Sequence, residues 1–381
     1  MRESFEEVIR SALENSSPSS GRPVPFIENK RADGLQFQEL LRLSEADRRW
    51  ANFGPVSQLL ESSLARYLEL PSDRTVVFCS SATAALFAMV AAKEYLAGRA
   101  LRWVTSAYAF YSSWMGPLSG SLVVDCDAQG MLDLNELQAL TPSSFDGLLV
   151  TNVFGTSPDL SKYIKFCRAN RKHLIVDNAA VLDGVPRETF DSSVGEIISF
   201  HQTKPWGMGE GGCAIVSPEE ATIVRAMTNF GVGLERRSAP GAGNSKISDF
   251  SCALILNRLR SIAHWRPKYR EQAQRLYRIA KAQGLETLAP MDLSALTPPH
   301  LPLLCSQAIP WAGLAGADFA MQKYYVPHPG EYLRANNIYC RIVNVPCHPG
   351  MAELGDEEIA ITLSRLVVRA PPAAISQSSQ P

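Results

Sequence analysis

The sequence has no CxxC pair among its eight cysteines, no marked excess of charge of either sign and no long apolar run. The cysteines are scattered singly, and several, such as Cys79 and Cys213, sit in apolar stretches. A reduced, buried set in a cytoplasmic protein is therefore expected. Lys and Arg number 37 against 38 Asp and Glu, for a net charge of −1. That balance gives no electrostatic case for binding nucleic acid or an anionic membrane. The longest purely apolar stretch, Ala84 to Ala92, is about half of a membrane span. The first residues carry Glu3, Glu6 and Glu7 and no apolar core, so they do not read as a signal peptide. Walker A, GxSxG and HExxH motifs are missing, and Cys340, Cys347 and His348 lack zinc-ligand spacing. What remains is 381 residues, 46% hydrophobic and 20% charged, an ordinary globular composition long enough for a two-domain enzyme.

The ends differ from the middle. Residues 3–14 read as a short amphipathic helix, and Asn15 to Pro25 as a flexible linker by composition. Arg369 to Pro381 reads as a disordered tail. Between them, strand-like apolar runs occur at Thr75–Cys79, Leu101–Thr105, Leu122–Asp125, Gly147–Thr151, Leu174–Asp177, Ile197–Phe200 and Cys213–Val216. Helix-like segments such as Ala84–Ala97 and Leu160–Asn170 separate several of them. Strands alternating with helices predict an α/β fold with a mostly parallel sheet, here a large domain over 26–250. From about Ser251 the pattern changes to a long charged helical stretch, a Pro-rich region and a short αβ segment. That predicts a smaller C-terminal α+β domain over 251–368.

In open α/β sheets ligands sit at the carboxyl ends of strands. Four such ends carry suggestive residues. Ser80 to Ala84 follow the first strand and open a helix, where small residues, free amides and hydroxyls make an anion site, although an ordinary Ser/Thr cap fits as well. Asp177 closes a strand, and a buried carboxylate there needs a partner: a pyridinium nitrogen, a metal, a helix cap or a salt bridge. Lys204 lies four residues past Phe200, beside Trp206 and the glycine run Gly207–Gly212, where desolvation can lower its pKa toward Schiff-base chemistry. Phe110 can lie against a flat ring or fill core. Gly207, Gly209 and Gly212 formally match GxGxxG, but the run joins two strands and opens no helix, which excludes a dinucleotide fingerprint.

Taken in order, these elements resemble the DegT/StrS family of sugar aminotransferases, fold-type I enzymes that use pyridoxal 5'-phosphate (PLP). Asn52-Phe53-Gly54-Pro55 with Glu61 resembles the family's entry segment. Ser81 to Leu86 is similar to its SGTxAL turn, and Val176 to Ala180 to its EDAAQ segment. Ser199-Phe200-His201-Gln202-Thr203-Lys204 with Gly209 to Gly212 is close to SFHxxK…GEGG, the most specific of the set. Gly243 to Ile247 is similar to GYNYRM, Lys323 to Pro327 to KYYxPL, and Val345 to Pro349 to LPLHP. The resemblance implies that Lys204 carries the cofactor as a Schiff base, that Asp177 pairs with the pyridine nitrogen and that Phe110 stacks on the ring. Thr83, the Ala84 amide and Ser199 would hold the phosphate, and Asn244 would reach the phosphate in the partner subunit of a homodimer with shared active sites.

The sequence departs from the family pattern at several points. Ala180 stands where the family has Gln or His, which contacts the cofactor's 3-oxygen. Val176 replaces an acidic residue, Lys246 an Arg, and Asp183 sits near a usual glycine. The resemblance implies transfer of an amino group from glutamate or glutamine to a keto sugar, nucleotide-linked, in amino-sugar biosynthesis. Two other readings are a sugar dehydratase, against which Lys204 argues because those relatives carry His there, and a non-catalytic ligand-binding protein, which Ala180 motivates.

Overall fold

The computed structural model describes residues 5–14, 23–156, 159–235 and 239–367. The chain opens with α1 (Phe5–Glu14), α2 (Gly34–Asp47) and α3 (Pro55–Tyr67). Alternation then follows through β1 (Thr75–Cys79), α4 (Ala82–Ala97), β2 (Trp103–Ser106), β3 (Leu122–Val124), β4 (Gly147–Thr151), α5 (Ser161–Asn170), β5 (His173–Asp177), β6 (Val194–Ser199), β7 (Gly212–Val216) and α6 (Pro218–Met227). After these come α7 (Asp249–Arg260), α8 (Ile262–Ala282), β8 (Glu286–Thr287), β9 (His300–Leu304), α9 (Leu333–Arg341), β10 (Ile342–Pro346) and α10 (Asp356–Ser364). The expected long helical stretch is thus two helices broken at Ser261, whose N–H and hydroxyl both bond the Arg258 carbonyl.

Seven strands form one sheet in the order β1-β7-β6-β5-β4-β2-β3. Only β7 is antiparallel to its neighbours, so the carboxyl ends of β1, β2, β4, β5 and β6 open on one side. Strand β5 shows why its sequence is continuously apolar. Leu174 and Val176 face one core and Ile175 the opposite one, all at most 2% exposed. A strand covered on both faces leaves no polar position for water to claim. Helix α4 is buried along Ala85, Leu86 and Ala88–Lys93, between the sheet and α6. A second, antiparallel sheet runs β10-β9-β8 and packs on α8. One apolar cluster joins Phe78 of β1 and Ile215 of β7 to Ile255 of α7, Trp265 of α8 and Leu301 of β9.

Two expectations need correction. Residues 15–22 of the expected linker, like the expected tail from Arg369, lie outside the described residues, but Val24 near the linker's end is buried and pairs in parallel with Phe319. That part is a fixed strap, because its backbone finds partners at 318 and 320. Seven of the eight free cysteines are buried, but Cys340 is exposed, being on the outer side of the nine-residue helix α9. No helix among the described residues is long and apolar enough to cross a membrane.

Helix α3 starts at Pro55 with Gly54 as its cap and receives its capping group from far along the chain. The fully buried Asp249 accepts the N–H groups of Val56 and Ser57 at 3.1 and 3.0 Å and the Ser44 hydroxyl at 2.7 Å. Glycine is required at 54, since a Cβ there would lie 2.4 Å from an Asp249 oxygen. Asp249→Ala strands three buried donors, so it should lower unfolding stability by about 2–3 kcal/mol. Denaturant unfolding of the two proteins checks this, and a change under half a kcal/mol would remove Asp249 from the cap.

Candidate active site

The four strand-end segments singled out in the sequence converge on one cavity of about 350 Å³. Thr83, Phe110, Asp177, Ala180, Ser199 and Lys204 all line it. Ala84 and Asn244 do not. The Ala84 N–H donates to Ser81 Oγ at 3.1 Å, an ordinary cap of α4. Asn244 is exposed, its Oδ1 accepting from Lys246 at 2.7 Å, and Lys246 in turn lies over the exposed Phe230 ring.

Asp177 is the last residue of β5 and is 2% exposed. Its position is fixed from both sides: its carbonyl accepts the Asn152 N–H at 2.9 Å, and the next amide, Asn178, donates to Ile197 at 3.0 Å. Behind it runs a buried polar ladder in which Asn152 donates to Asn178, Asn178 to Glu196, and Arg187 pairs with Glu196 at 2.8 Å. A ladder with its donors and acceptors matched is rigid, so the strand end has one conformation. Burial raises the Asp177 carboxyl to about 6, against the pull of the Ala179 N–H and of Lys204.

Lys204 lies on the connection between β6 and β7, where the glycine run also sits, as its sequence context requires. Burial lowers its amine to about 8, while Asp177 opposes the fall. The loop that carries it is held tightly. Trp206 is fully buried and donates to the Ser199 carbonyl at 2.7 Å. At Gly207 a Cβ would lie 2.2 Å from the His201 carbonyl oxygen, so only glycine fits that approach. From the opposite end of the chain, Lys30 reaches in and donates to the carbonyls of Gln202, Lys204 and Gly207. Burial, with Arg258 nearby, lowers the Lys30 amine to about 7.

The second half of the wall comes from outside the four strand-end segments. Phe26 on the strap, His300 on β9, and Tyr324 and Tyr325 complete the lining. His300 stacks on Tyr324 at 5.2 Å and 12°, its Nδ1 is buried without a hydrogen-bond partner, and burial with Lys204 nearby lowers it to about 3. The imidazole is therefore neutral throughout the working pH range. The Lys323–Pro327 run did carry a sequence motif for Tyr324 and Tyr325; Phe26 and His300 had none.

Two departures find structural reasons. Val176 points into a fully apolar core, where an acid would be unpaired. Asp183 accepts from the Tyr67 hydroxyl at 2.6 Å and pairs with Arg266 and Arg270, tying α3 to α8.

Comparison with known proteins agrees with this geometry. The chain is 28% identical over 234 residues to protein Rv3402c of Mycobacterium tuberculosis, covering 54% of this chain. It spans about half the length of that curated relative, 55%. It is 24% identical over 308 residues to L-glutamine:2-deoxy-scyllo-inosose aminotransferase of Streptoalloteichus tenebrarius, covering 74% of this chain and 70% of the relative. The fold matches the crystal structure of DesI in the presence of its TDP-sugar product, with a TM-score of 0.72, 19% identity, and 93% and 95% of the two chains covered. A model of the DegT/DnrJ/EryC1/StrS aminotransferase family matches residues 33–300. That span takes in every strand of the large sheet together with Asp177 and Lys204, and the chain belongs to the DegT/DnrJ/EryC1/StrS aminotransferase family.

Proposed function

We propose that this protein is a cytoplasmic PLP-dependent aminotransferase that moves an amino group from glutamate or glutamine to a nucleotide-linked keto sugar. The observation that carries this reading is the meeting of Asp177, Lys204, Thr83 and Ser199 in one cavity at the strand ends. The relative's name supplies glutamine as donor and a cyclic ketone as acceptor, and the DesI structure was determined with a TDP-sugar.

The residues fit the cofactor the family implies. A buried carboxylate at one part of the wall suits a ring nitrogen, and hydroxyls beside a helix N-terminus suit a phosphate. Asp177 would hold the ring nitrogen and Phe110 a ring face, with Ala180 alongside. Thr83, Ser199 and the first turn of α4, to which Ala84 belongs, would hold the phosphate. Gly212 permits that turn, since a Cβ there would lie 2.1 Å from the Ala82 nitrogen. Lys204 would carry the cofactor covalently. When bound, the cofactor's ring accepts the electron pair left as the amino donor loses its α-proton.

The chain's own residues do the rest. Asp177, ionised above pH of about 6, supplies the negative charge that keeps a proton on the ring nitrogen. Lys204, its amine lowered to about 8, is placed to take the proton from the donor's α-carbon and to return it. Phe26, Tyr324 and Tyr325 give that transfer an aromatic wall on one side. Asn244 would serve the neighbouring subunit's phosphate in a homodimer, where exposed Phe230 and Val232 nearby offer apolar surface to bury.

Three outcomes follow. Borohydride reduction of the protein with PLP should leave a pyridoxyl group on Lys204 by peptide mass mapping; a label elsewhere, or none, would overturn the assignment. Asp177→Asn should bind PLP yet slow the half-reaction with the amino donor by about a hundredfold or more, since an amide cannot hold the ring nitrogen protonated. Stopped-flow absorbance checks this, and a rate within a few-fold of the parent would tell against the role. Lys204→Ala and Asn244→Ala, each impaired alone, should regain activity when dissociated and reassembled together. A mixed dimer then holds one site with both defects and one with neither. Verified mixed dimers that stay inactive would refute the shared site.

A further inference from the structure

The wall of the cavity has one chemical gap. Position 180 carries a methyl group, where the family pattern places an amide or imidazole against the cofactor's 3-oxygen. Asn178, two positions away, is already committed, accepting from Asn152 and donating to Glu196. Tyr325 is differently placed. It lines the same cavity as Ala180 and Asp177. Its phenolic oxygen accepts the Phe154 N–H at 3.4 Å, and the two rings meet edge-on at 4.7 Å. The turn that anchors the hydroxyl packs directly on position 180, since a Cβ on Gly155 would lie 2.7 Å from the Ala180 carbonyl oxygen. Tyr325 and Ala180 thus face one cavity and are linked through the turn at Phe154 and Gly155.

We propose that the Tyr325 hydroxyl donates the hydrogen bond to the cofactor's 3-oxygen that position 180 cannot supply in this chain, a role that rests on the cofactor reading above. The hydroxyl oxygen uses an acceptor site on Phe154 and keeps its own proton to give, and no acceptor for that proton occurs among the described residues. Burial and the nearby Asp177 charge raise the phenol well above its usual range, so it remains a donor at every working pH. The backbone at this position is constrained as well. Tyr325 has φ of 59°, a left-handed conformation that a bulky residue adopts only where its surroundings enforce it. Tyr108, at 5.7 Å, and Phe154 pack on its ring and fix that direction.

The experiment is a pH titration of the cofactor's visible absorbance in the full-length holoprotein, without substrate. Asp177, Lys204, His300 and Tyr324 face the same cavity and stay unchanged in every variant. Tyr325→Phe keeps the ring and removes the hydroxyl, which is both the proposed donor and the acceptor of the Phe154 N–H. Negative charge on the 3-oxygen is then less stabilised by the protein and more by the proton on the Lys204 nitrogen, so that proton is held to higher pH. The midpoint should rise by about one unit. Adding Ala180→Gln to Tyr325→Phe should bring it back toward the parent. A parent-like midpoint in Tyr325→Phe, or a raised midpoint that Ala180→Gln leaves in place, would overturn the role of Tyr325. A parent protein with no Lys204-linked visible band would instead overturn the cofactor reading itself.

Discussion

A carboxylate buried at the end of a parallel strand is the constraint on which the site depends. Asp177 has left water, and burial pushes it toward its neutral form. The Ala179 N–H and the Lys204 amine pull the other way. The same burial drives Lys204 toward neutrality, and Asp177 opposes it. Two groups on different elements thus set each other's protonation within a cavity that the sheet alone cannot close. The buried Arg187–Glu196–Asn178–Asn152 ladder fixes the strand end that carries Asp177, and Trp206, Gly207 and Lys30 fix the loop that carries Lys204. Rigidity on both sides keeps the two groups within electrostatic reach of each other.

Much of this was legible in the sequence, for a physical reason. Strands covered on both faces read as continuous apolar runs, so an acid that ends such a run or a lysine just past one stands out. Strand ends in an open sheet also converge by topology, so Thr83, Phe110, Asp177, Ser199 and Lys204 meet although over a hundred positions separate the first from the last. Local pattern failed where tertiary packing decides. His300 follows two prolines with no periodic signal, and Phe26 lies next to a stretch whose composition reads as linker; both reach the cavity through the second sheet and the strap. The Ala84 amide was a candidate phosphate donor from its place after β1, but the helix caps it with its own Ser81 hydroxyl. Asn244 reads as functional by motif, but it lies exposed at the surface and outside the cavity.

The departures from the family pattern are not equivalent. Val176 and Asp183 are answered within the scaffold, one by an apolar core and the other by a tyrosine and two arginines. Ala180 instead lines the cavity, where no scaffold contact answers for the departure. A substitution of the first kind changes what holds the fold together. One of the second kind changes the chemistry unless another residue takes over the contact.

The grip of Lys30 on the carbonyls of Gln202, Lys204 and Gly207 also orders events in time. These hydrogen bonds join residues more than 170 positions apart, so the loop entropy of closing that span must be met before they form. During synthesis Lys30 leaves the ribosome long before its acceptors exist. A chain in which Lys30 has not yet docked therefore lacks one of the anchors that hold the Lys204 loop, whatever the state of the sheet.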